Sequence, residues 1–344
     1  MLLHPLGSSK NNVMVLAQIA PKYLLCLLIT FVVLVRTAAA QEPQSALRGL
    51  ERARDAAERL EYTGILITQQ GPLMHTSRII HKRESKEAVE RIEMLDGPPN
   101  EIVRRGEEVT WYLPRERRII IDRQPGARSF PGLAQLSNTQ LLEHYRFRFL
   151  QKDRVAGRES TVLQLQPLDG LRYGYRFWID TSSGLLLRAQ SISERGDVVA
   201  QIGFSEVTIG AQPSLKGRDR LIDTRGWQTE RAIAGPADLS GWVLHLPPGF
   251  VRLAAQRRVI SAANSGIGEP SDVVQIVCSD GLASISIFVE PWSAARSAVP
   301  VREGALNMVG KRIGRFWLTI VGEVPMTAVR QIADSLEFSA PDTR

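Results

Sequence analysis

Cysteine is almost absent from this chain of 344 residues, which contains only Cys26 and Cys278. Cys26 lies in an N-terminal segment that we predict to be removed, so the mature chain has one thiol and no intramolecular disulfide. Its stability must come from hydrophobic cores, and about 300 residues are enough for two of them. Cys278, at the end of the apolar run Val273–Cys278, is interpreted as a small buried hydrophobic residue. An intermolecular disulfide is the alternative.

The N-terminal apolar run is too short to cross a membrane. It covers Tyr23–Val35, thirteen residues, whereas a spanning helix needs about twenty. Lys10 and Lys22 precede it without any acidic residue, and Ala38-Ala39-Ala40 follows it. This order is typical of a secretory signal peptide. We predict a signal peptide over residues 1–40 with cleavage after Ala40, rather than a retained anchor.

A strong charge of one sign is also lacking. Loss of residues 1–40 removes Lys10, Lys22 and Arg36 and lowers the formal charge from +7 to +4. The remaining arginines are interspersed with acidic residues, which argues against nucleic acid as a partner. A modest attraction to anionic lipid headgroups or to an acidic peptide is compatible with this composition.

No catalytic or metal-binding pattern stands out. His75 and His81 could share a strand face, but no third ligand follows at zinc-site spacing. The carboxylates Glu90, Glu93, Asp96 and Glu101 are interpreted as a solvated charged face with local arginine partners. Ser182-Ser183-Gly184 falls in a predicted hairpin and lacks the strand-to-helix context of a nucleophile elbow. We therefore predict neither an enzyme nor a bound cofactor or metal.

The most informative segment is Leu171–Arg188. Tyr173, Tyr175, Phe177 and Ile179 alternate with Arg172, Arg176 and Trp178, which predicts a strand with one apolar face. Asp180 to Gly184 supplies turn residues, and an apolar strand follows. The segment therefore predicts an antiparallel hairpin.

The rest of the chain predicts an α+β fold of two domains. A helix that Ser45 can cap precedes a meander of strands, and a second helix begins near Ser137 or Asn138. The closing helix follows Pro325, and its apolar stripe includes Met326, Val329 and Ile332. We predict a large domain over 41–210, a linker over 211–236, a small C-terminal domain over 237–338 and a tail over 339–344.

Particular blocks of sequence resemble a known family. Trp178-Ile179-Asp180 with Gly184-Leu185 resembles the hairpin of the periplasmic lipoprotein carriers. Further blocks, in this order along the chain, are similar to the RseB/MucB family of periplasmic regulators of the envelope-stress sigma factor: Glu90–Arg104, Val155–Arg158, Arg172–Tyr175, Leu246–Phe250, Ser279–Ser284 and Val321–Pro325. One departure is Ile65-Leu66-Ile67, where the family has an aromatic residue.

The resemblance implies a large unclosed antiparallel β-barrel with helices over its concave side, and a smaller α+β domain with an antiparallel sheet and a closing helix. It also implies a periplasmic negative regulator that binds the periplasmic domain of a membrane-spanning anti-sigma factor and protects it from proteolysis. Lipopolysaccharide or a mislocalised lipoprotein would release that partner. A periplasmic lipid or lipoprotein carrier is the alternative, and homo-oligomerisation is left open.

Two sets of candidate binding residues follow. Tyr173, Tyr175 and Phe177 are the candidates for contact with an acyl chain, because they share a predicted strand face. Phe288, Trp292 and Trp317 are the candidates for partner binding in the small domain, because aromatic residues often dominate binding energy. Burial in the domain core is the competing interpretation of the second set.

Overall fold

The computed structural model describes residues 44–84, 87–124, 138–210, 222–260, 271–294, 296 and 299–339. The predicted signal peptide and its cleavage site therefore lie outside the described residues. Within the described ranges, none of the helices has the length and apolar character needed to span a bilayer.

The large domain is built on one thirteen-stranded sheet. Its first six strands form a meander in which short turns connect neighbouring antiparallel strands. These are β1 (Tyr62–Gln70), β2 (Leu73–Glu84), β3 (Glu87–Met94), β4 (Glu101–Arg105), β5 (Glu108–Leu113) and β6 (Arg118–Arg123). The second half contains β7 (Tyr145–Phe149), β8 (Asp153–Val155), β9 (Arg158–Pro167), β10 (Gly174–Asp180), β11 (Leu186–Ile192) and β12 (Val198–Ile209).

The sheet is not closed. Its strand order is β13-β6-β5-β4-β3-β2-β1-β12-β11-β10-β9-β7, with β8 paired to β9, and the end strands β13 and β7 do not pair with each other. Pairing between β1 and β12 joins the two halves. The predicted unclosed antiparallel sheet is thus confirmed, as is the β10–β11 hairpin, where Gly184 adopts a positive φ of 82°.

Two helices pack on one face of the second half of the sheet. Helix α1 spans 44–59 and α2 spans Asn138–His144. Gln44 is already helical, so Ser45 is not the N-cap that we predicted. The apolar side chains of both helices join strand residues in one core, which contains Ala46, Leu47, Leu50, Ala53, Leu141, Tyr145, Phe147, Leu163, Leu165, Tyr175, Phe177, Ile179 and Leu186.

The small domain is a seven-stranded sheet covered by one helix. Its strand order is β14-β16-β17-β18-β21-β20-β19. These strands are β14 (Ala234–Pro236), β16 (Val251–Ile260), β17 (Ser271–Ser279), β18 (Ser284–Pro291), β19 (Val301–Glu303), β20 (Leu306–Ile313) and β21 (Phe316–Gly322). Helix α3 (Met326–Ser335) buries Ala328, Val329, Ile332 and Ala333 against this sheet. A separate pair joins β15 (Trp242–Val243) to β22 (Glu337–Phe338).

Two strands occupy the second part of the predicted linker. Strand β13 (Gln228–Arg231) pairs in parallel with β6 of the large sheet, and β14 pairs with β16 of the small sheet. The chain therefore passes from one sheet to the other at residues 232–233. Polar and glycine-containing strands at a sheet edge have little hydrophobic pattern, which is why this segment resembles a loop in sequence. The first part of the linker, 211–221, lies outside the described residues.

Candidate functional site

Three of the family-like blocks meet where the large sheet contacts the small domain. The first supplies Arg172, just before β10. The second supplies Pro248, ahead of β16, and the third supplies Asp280, in the turn between β17 and β18. These residues are distant in sequence, so their convergence is a property of the fold. We refer to the contact made by Arg172, Pro248 and Asp280 as the interdomain junction.

Arg172 is the centre of this junction and has no exposed surface. Its Nη1 donates to Asp280 Oδ2 at 3.2 Å and its Nε donates to Asp169 Oδ1 at 3.1 Å. The Pro248 carbonyl accepts a further bond from Nη2. The guanidinium carbon also lies 5.2 Å from the Phe250 ring centroid. A buried arginine is tolerable only when its charge is paired and its donors are used, and the junction meets both needs.

Asp280 connects the ion pair to a tight turn. Its Oδ1 accepts the backbone N–H groups of Leu282 and Ala283 at 3.0 and 2.8 Å. Its Oδ2 accepts the hydroxyl of Tyr145 at 2.8 Å. Burial, together with the nearby Tyr175 and Asp280, raises the pKa of Tyr145 well above its ordinary value. The phenol thus stays protonated and serves as a hydrogen-bond donor to the carboxylate.

Apolar contacts interlock the two domains around the ion pair. Leu171 of the large domain packs against the core of the small domain, and Leu282 of the small domain packs against the core beneath α1 and α2. At the β19–β20 turn, Gly304 has a φ of 58° and approaches Gly71 so closely that an added Cβ would lie 2.5 Å from the Gly71 nitrogen. The domains are therefore in intimate contact, unlike modules joined only by a flexible linker.

A cavity of about 660 Å³ lies against the first half of the large sheet. Its apolar lining comes from alternate residues of β2 to β6, with one residue from the segment before β13: Ile80, Val89, Val103, Tyr112, Ile119, Ile121 and Ile222. Ile80 pairs across strands with Arg91, Arg91 with Val103, and Val103 with Thr110, so the strand residues share one face. This volume is in the range of known small-ligand sites.

Charged residues line the same cavity but neutralise each other. Arg105 bonds Glu84 at 2.5 Å, Lys82 bonds the same carboxylate at 2.8 Å, and Arg91 bonds Glu101 at 2.7 Å. Glu101 is 7% exposed. Our interpretation of Glu90 and Glu101 as members of a solvated face is therefore wrong, because both are buried, although Glu93 does pair with Arg78 as expected. The cavity offers an apolar floor with ion pairs along it.

The opposite face of these strands contacts the small domain. Tyr62, His81, Glu90, Arg104, Val109 and Asp122 pair in sequence across six strands. Burial lowers the pKa of His81, and its Nδ1 lies 2.8 Å from the Leu60 carbonyl, so the neutral ring donates there. Asp122, at the far end of this row, forms an ion pair with Arg258 of β16. The strands that line the cavity thus reach the small domain through Asp122.

The three residues predicted to contact an acyl chain do not line this cavity. Tyr175 and Phe177 stack on each other, with ring centroids 5.7 Å apart, and both are buried beneath α1 and α2. Tyr173 precedes β10 and belongs to a separate small cluster with Val199 and Ala305. Its hydroxyl accepts a bond from Asn307 at 3.0 Å. The structure therefore brings Tyr175 and Phe177 together and places Tyr173 at the domain boundary.

The three predicted partner-binding aromatics differ in exposure. Trp317 is 5% exposed and Phe288 is half-buried, whereas Trp292 is 40% exposed. Trp292 directly follows β18, and the Arg312 guanidinium carbon lies 3.9 Å from its ring centroid. Of the three, Trp292 is the one with an aromatic surface open to a partner.

Sequence reasoning missed the junction and the cavity. Arg172 and Asp280 both stood in recognised blocks, but nothing local indicated that they form an ion pair across 108 positions. The sequence signal for the cavity was the alternation of apolar and polar residues within β2 to β6, which places Ile80, Val103 and Ile121 on one face. Cys278, by contrast, is buried as expected, and burial raises the pKa of its thiol to about 11.

Comparison with known proteins gives matches to both domains. Family models for the MucB/RseB N-terminal and C-terminal domains match residues 45–223 and 236–337. The sigma factor AlgU regulatory protein MucB of Pseudomonas aeruginosa is 30% identical over 303 residues, 85% of this chain and 90% of the relative. The sigma-E factor regulatory protein RseB of Haemophilus influenzae is 24% identical over 314 residues, 89% of this chain and 95% of the relative.

Solved structures give the same result. A crystal structure of MucB in complex with MucA(peri) aligns with a TM-score of 0.65 and 27% identity, covering 86% of this chain and 100% of the solved chain. A Pseudomonas aeruginosa MucA/MucB complex aligns with a TM-score of 0.66 and 26% identity, again over 86% of this chain. The similarity therefore covers most of the chain and includes both domains.

Proposed function

Because this chain belongs to the MucB/RseB family, we propose that it is a periplasmic negative regulator of an envelope-stress sigma factor. It binds the periplasmic segment of a membrane-spanning anti-sigma factor and protects that segment from proteolysis. The observation that carries the proposal is similarity through both domains to a chain solved together with MucA(peri). A carrier would need only the large domain, whereas here the small domain is interlocked with it.

Protection from proteolysis is the direct test. The purified chain from Gln41 onward is mixed with the periplasmic segment of the anti-sigma factor of the same cell, and cleavage by the periplasmic protease is timed. Saturating amounts of this chain should slow cleavage of the partner and leave cleavage of an unrelated substrate unchanged. Equal slowing of both substrates would mean protease inhibition, and no slowing would refute the proposal.

Trp292 is our proposed anchor for the partner on the small domain. An exposed tryptophan held beneath an arginine is a rigid contact of the kind that dominates interfaces. Trp292→Ala should weaken partner binding by about 2 kcal/mol, or roughly 30-fold, in a calorimetric titration. Val243→Ala is the matched control, since Val243 is 42% exposed in the same domain. If the Trp292→Ala and Val243→Ala variants bind the partner with equal affinity, Trp292 is not part of the interface.

The 660 Å³ cavity is our proposed site for an acyl chain. Its floor is apolar, and acyl burial contributes about 0.8 kcal/mol per methylene. A charge at Tyr175 or Phe177 is a poor test, because both residues are packed beneath helices and the charge would destabilise the fold. Val103 is half-buried and lines the cavity, so a larger side chain there should displace ligand with less damage.

Val103→Trp should displace about two methylene groups and weaken acyl-chain binding by about 1.6 kcal/mol, roughly 15-fold. Ile102→Trp, on the opposite face of the same strand, should leave it unchanged. Binding is measured with a fluorescent fatty acid, in the presence and absence of the anti-sigma segment. An effector must bind the free protein more tightly than the complex. A ligand that binds both equally would be cargo, which would favour the carrier alternative.

A further inference from the structure

In the part of the chain that the structure describes, the large sheet has a polar face on the side opposite α1 and α2. Residues that alternate with the buried core form a row across six strands: Arg148, Gln164, Arg176, Gln190, Gln201 and Gln69. Next to it, Arg146 pairs with Gln166, and Trp178 pairs with Arg188. We call this surface, comprising these ten residues, the arginine–glutamine face. At about 4.8 Å per strand, the row extends for about 24 Å.

Positive charge dominates this face. Its four arginines are Arg146, Arg148, Arg176 and Arg188, and the first two are exposed. Among the described residues of these strands, register places two acidic side chains on the same side. Asp180 is buried and bonded to Arg158, and Glu206 lies near the end of β12. One further carboxylate, Asp153 of β8, accepts the indole N–H of Trp178 at 2.7 Å.

The central arginines are held in place. The guanidinium carbons of Arg176 and Arg188 lie 5.9 and 5.3 Å from the ring centroid of Trp178, which is itself buried. Gln190 Nε2 donates to Gln201 Oε1 at 2.6 Å, and Arg176 Nη1 donates to the side-chain oxygen Oε1 of Gln190 at 3.5 Å. Arg176 Nε is buried and, in the described structure, has no hydrogen-bond partner. The face therefore presents guanidinium groups whose orientation contacts with Trp178 and Gln190 help to fix.

We propose that the arginine–glutamine face docks the large domain onto an anionic lipid bilayer. Guanidinium groups bind phosphate oxygens in a bidentate manner, and carboxamides add neutral donors. The paired strands spread these side chains over several neighbouring strands, which suits an array of headgroup phosphates better than one extended peptide. Each arginine near such a surface contributes enough to change binding about fivefold.

Vesicle sedimentation tests the proposal with the whole chain from Gln41 onward. Vesicles contain 30% phosphatidylglycerol in phosphatidylcholine, with pure phosphatidylcholine as the neutral arm. Arg146→Gln/Arg148→Gln removes two exposed charges and should weaken binding to the anionic vesicles about 25-fold. Arg59→Gln/Arg123→Gln is the matched control, since those side chains are 73% and 75% exposed elsewhere and the charge change is the same.

Retained binding by the control variant and loss by the Arg146/Arg148 variant, at equal melting temperature, supports docking by this face. Equal loss in both variants would show a response to net charge alone and would overturn the assignment. Equal binding of wild type to neutral vesicles would overturn it too. Poly-glutamate serves as a competitor in the last part of the experiment. If it displaces the protein from the anionic vesicles when both carry the same concentration of negative charge, the face recognises acidic polymers and not a bilayer.

Discussion

Asp280→Asn at the interdomain junction should destabilise the whole chain. The substitution keeps the shape and the acceptor oxygen of the side chain, but it removes the negative charge that faces the fully buried Arg172. Breaking a buried ion pair from one side typically costs 3–5 kcal/mol. Asp169 still faces Arg172 and is about 30% exposed, so the lower end of that range applies. We expect a loss of about 3 kcal/mol.

Thermal and urea unfolding can measure this loss. For a chain of this size, about 3 kcal/mol corresponds to a fall of roughly 6 °C in Tm. Asp272→Asn is the matched control, because Asp272 pairs with Arg257 at 2.6 Å on the surface of the small domain, where both side chains are more than half exposed. Removal of such an exposed pair should change stability by less than about 1 kcal/mol.

A double-mutant cycle separates the charge pair from its surroundings. Arg172→Met should also destabilise, since it leaves Asp280 buried without its cation. The two single losses of unfolding free energy should add up to about 2 kcal/mol more than the loss measured for the Arg172→Met/Asp280→Asn double variant. The reason is that no uncompensated charge remains in the double variant. Additive effects would refute a coupled buried pair. So would an Asp280→Asn loss no larger than that of Asp272→Asn.

Two further predictions concern the close approach of the domains and the β10–β11 turn. Gly304→Ala should lower the free energy of unfolding by well over the roughly 1 kcal/mol of left-handed backbone strain, because its Cβ would lie 2.5 Å from the Gly71 nitrogen. Gly314 has a similar φ of 56° but open space around it, so Gly314→Ala should lose only the strain energy. Urea unfolding measures both losses. A similar loss in both variants would contradict the packing argument. Burial opposes ionisation of Asp180, but bonds from Arg158, Ser183 and Ser182 outweigh it and hold its pKa below the ordinary value. The stabilisation from Asp180 should therefore be complete above the unfolded pKa of about 3.9 and decrease as pH falls below it, and Asp180→Asn should flatten that part of the stability profile.

Local chemistry made much of the fold predictable. In the predicted meander, β1 to β6, most neighbouring strands are separated by turns that contain glycine, proline or aspartate. The closing helix follows Pro325 and carries a clear apolar stripe. In both cases the signal lies within a few residues of the element that it specifies, so no knowledge of the tertiary structure is needed.

Other parts depend on contacts that sequence does not display. Strand β20 has a weak sequence signal, because Gly310, Lys311 and Arg312 interrupt its apolar pattern, and pairing with β21 stabilises it. The side of the sheet on which α1 and α2 pack decides that Tyr175 and Phe177 are core residues and that Val103 faces a cavity. The alternating sequence of a strand does not show on which of its two faces a helix packs. The candidate cavity could therefore be located only from the three-dimensional packing.

The ion pairs Arg172–Asp280 and Asp122–Arg258, which join the two domains, suggest how a ligand could influence partner binding. A ligand shifts the equilibrium between the partner-free protein and the complex only if its interactions differ between these two states. The cavity is lined by β2 to β6, and Asp122 on β6 pairs with Arg258 of the small domain. Arg172 precedes β10, in the other half of the sheet, where α1 and α2 fix the strands. An acyl chain that moves β2 to β6 would thus strain the Asp122–Arg258 contact while the Arg172–Asp280 junction holds. The small domain, with Trp292 on its surface, would then reorient about the junction instead of detaching from it.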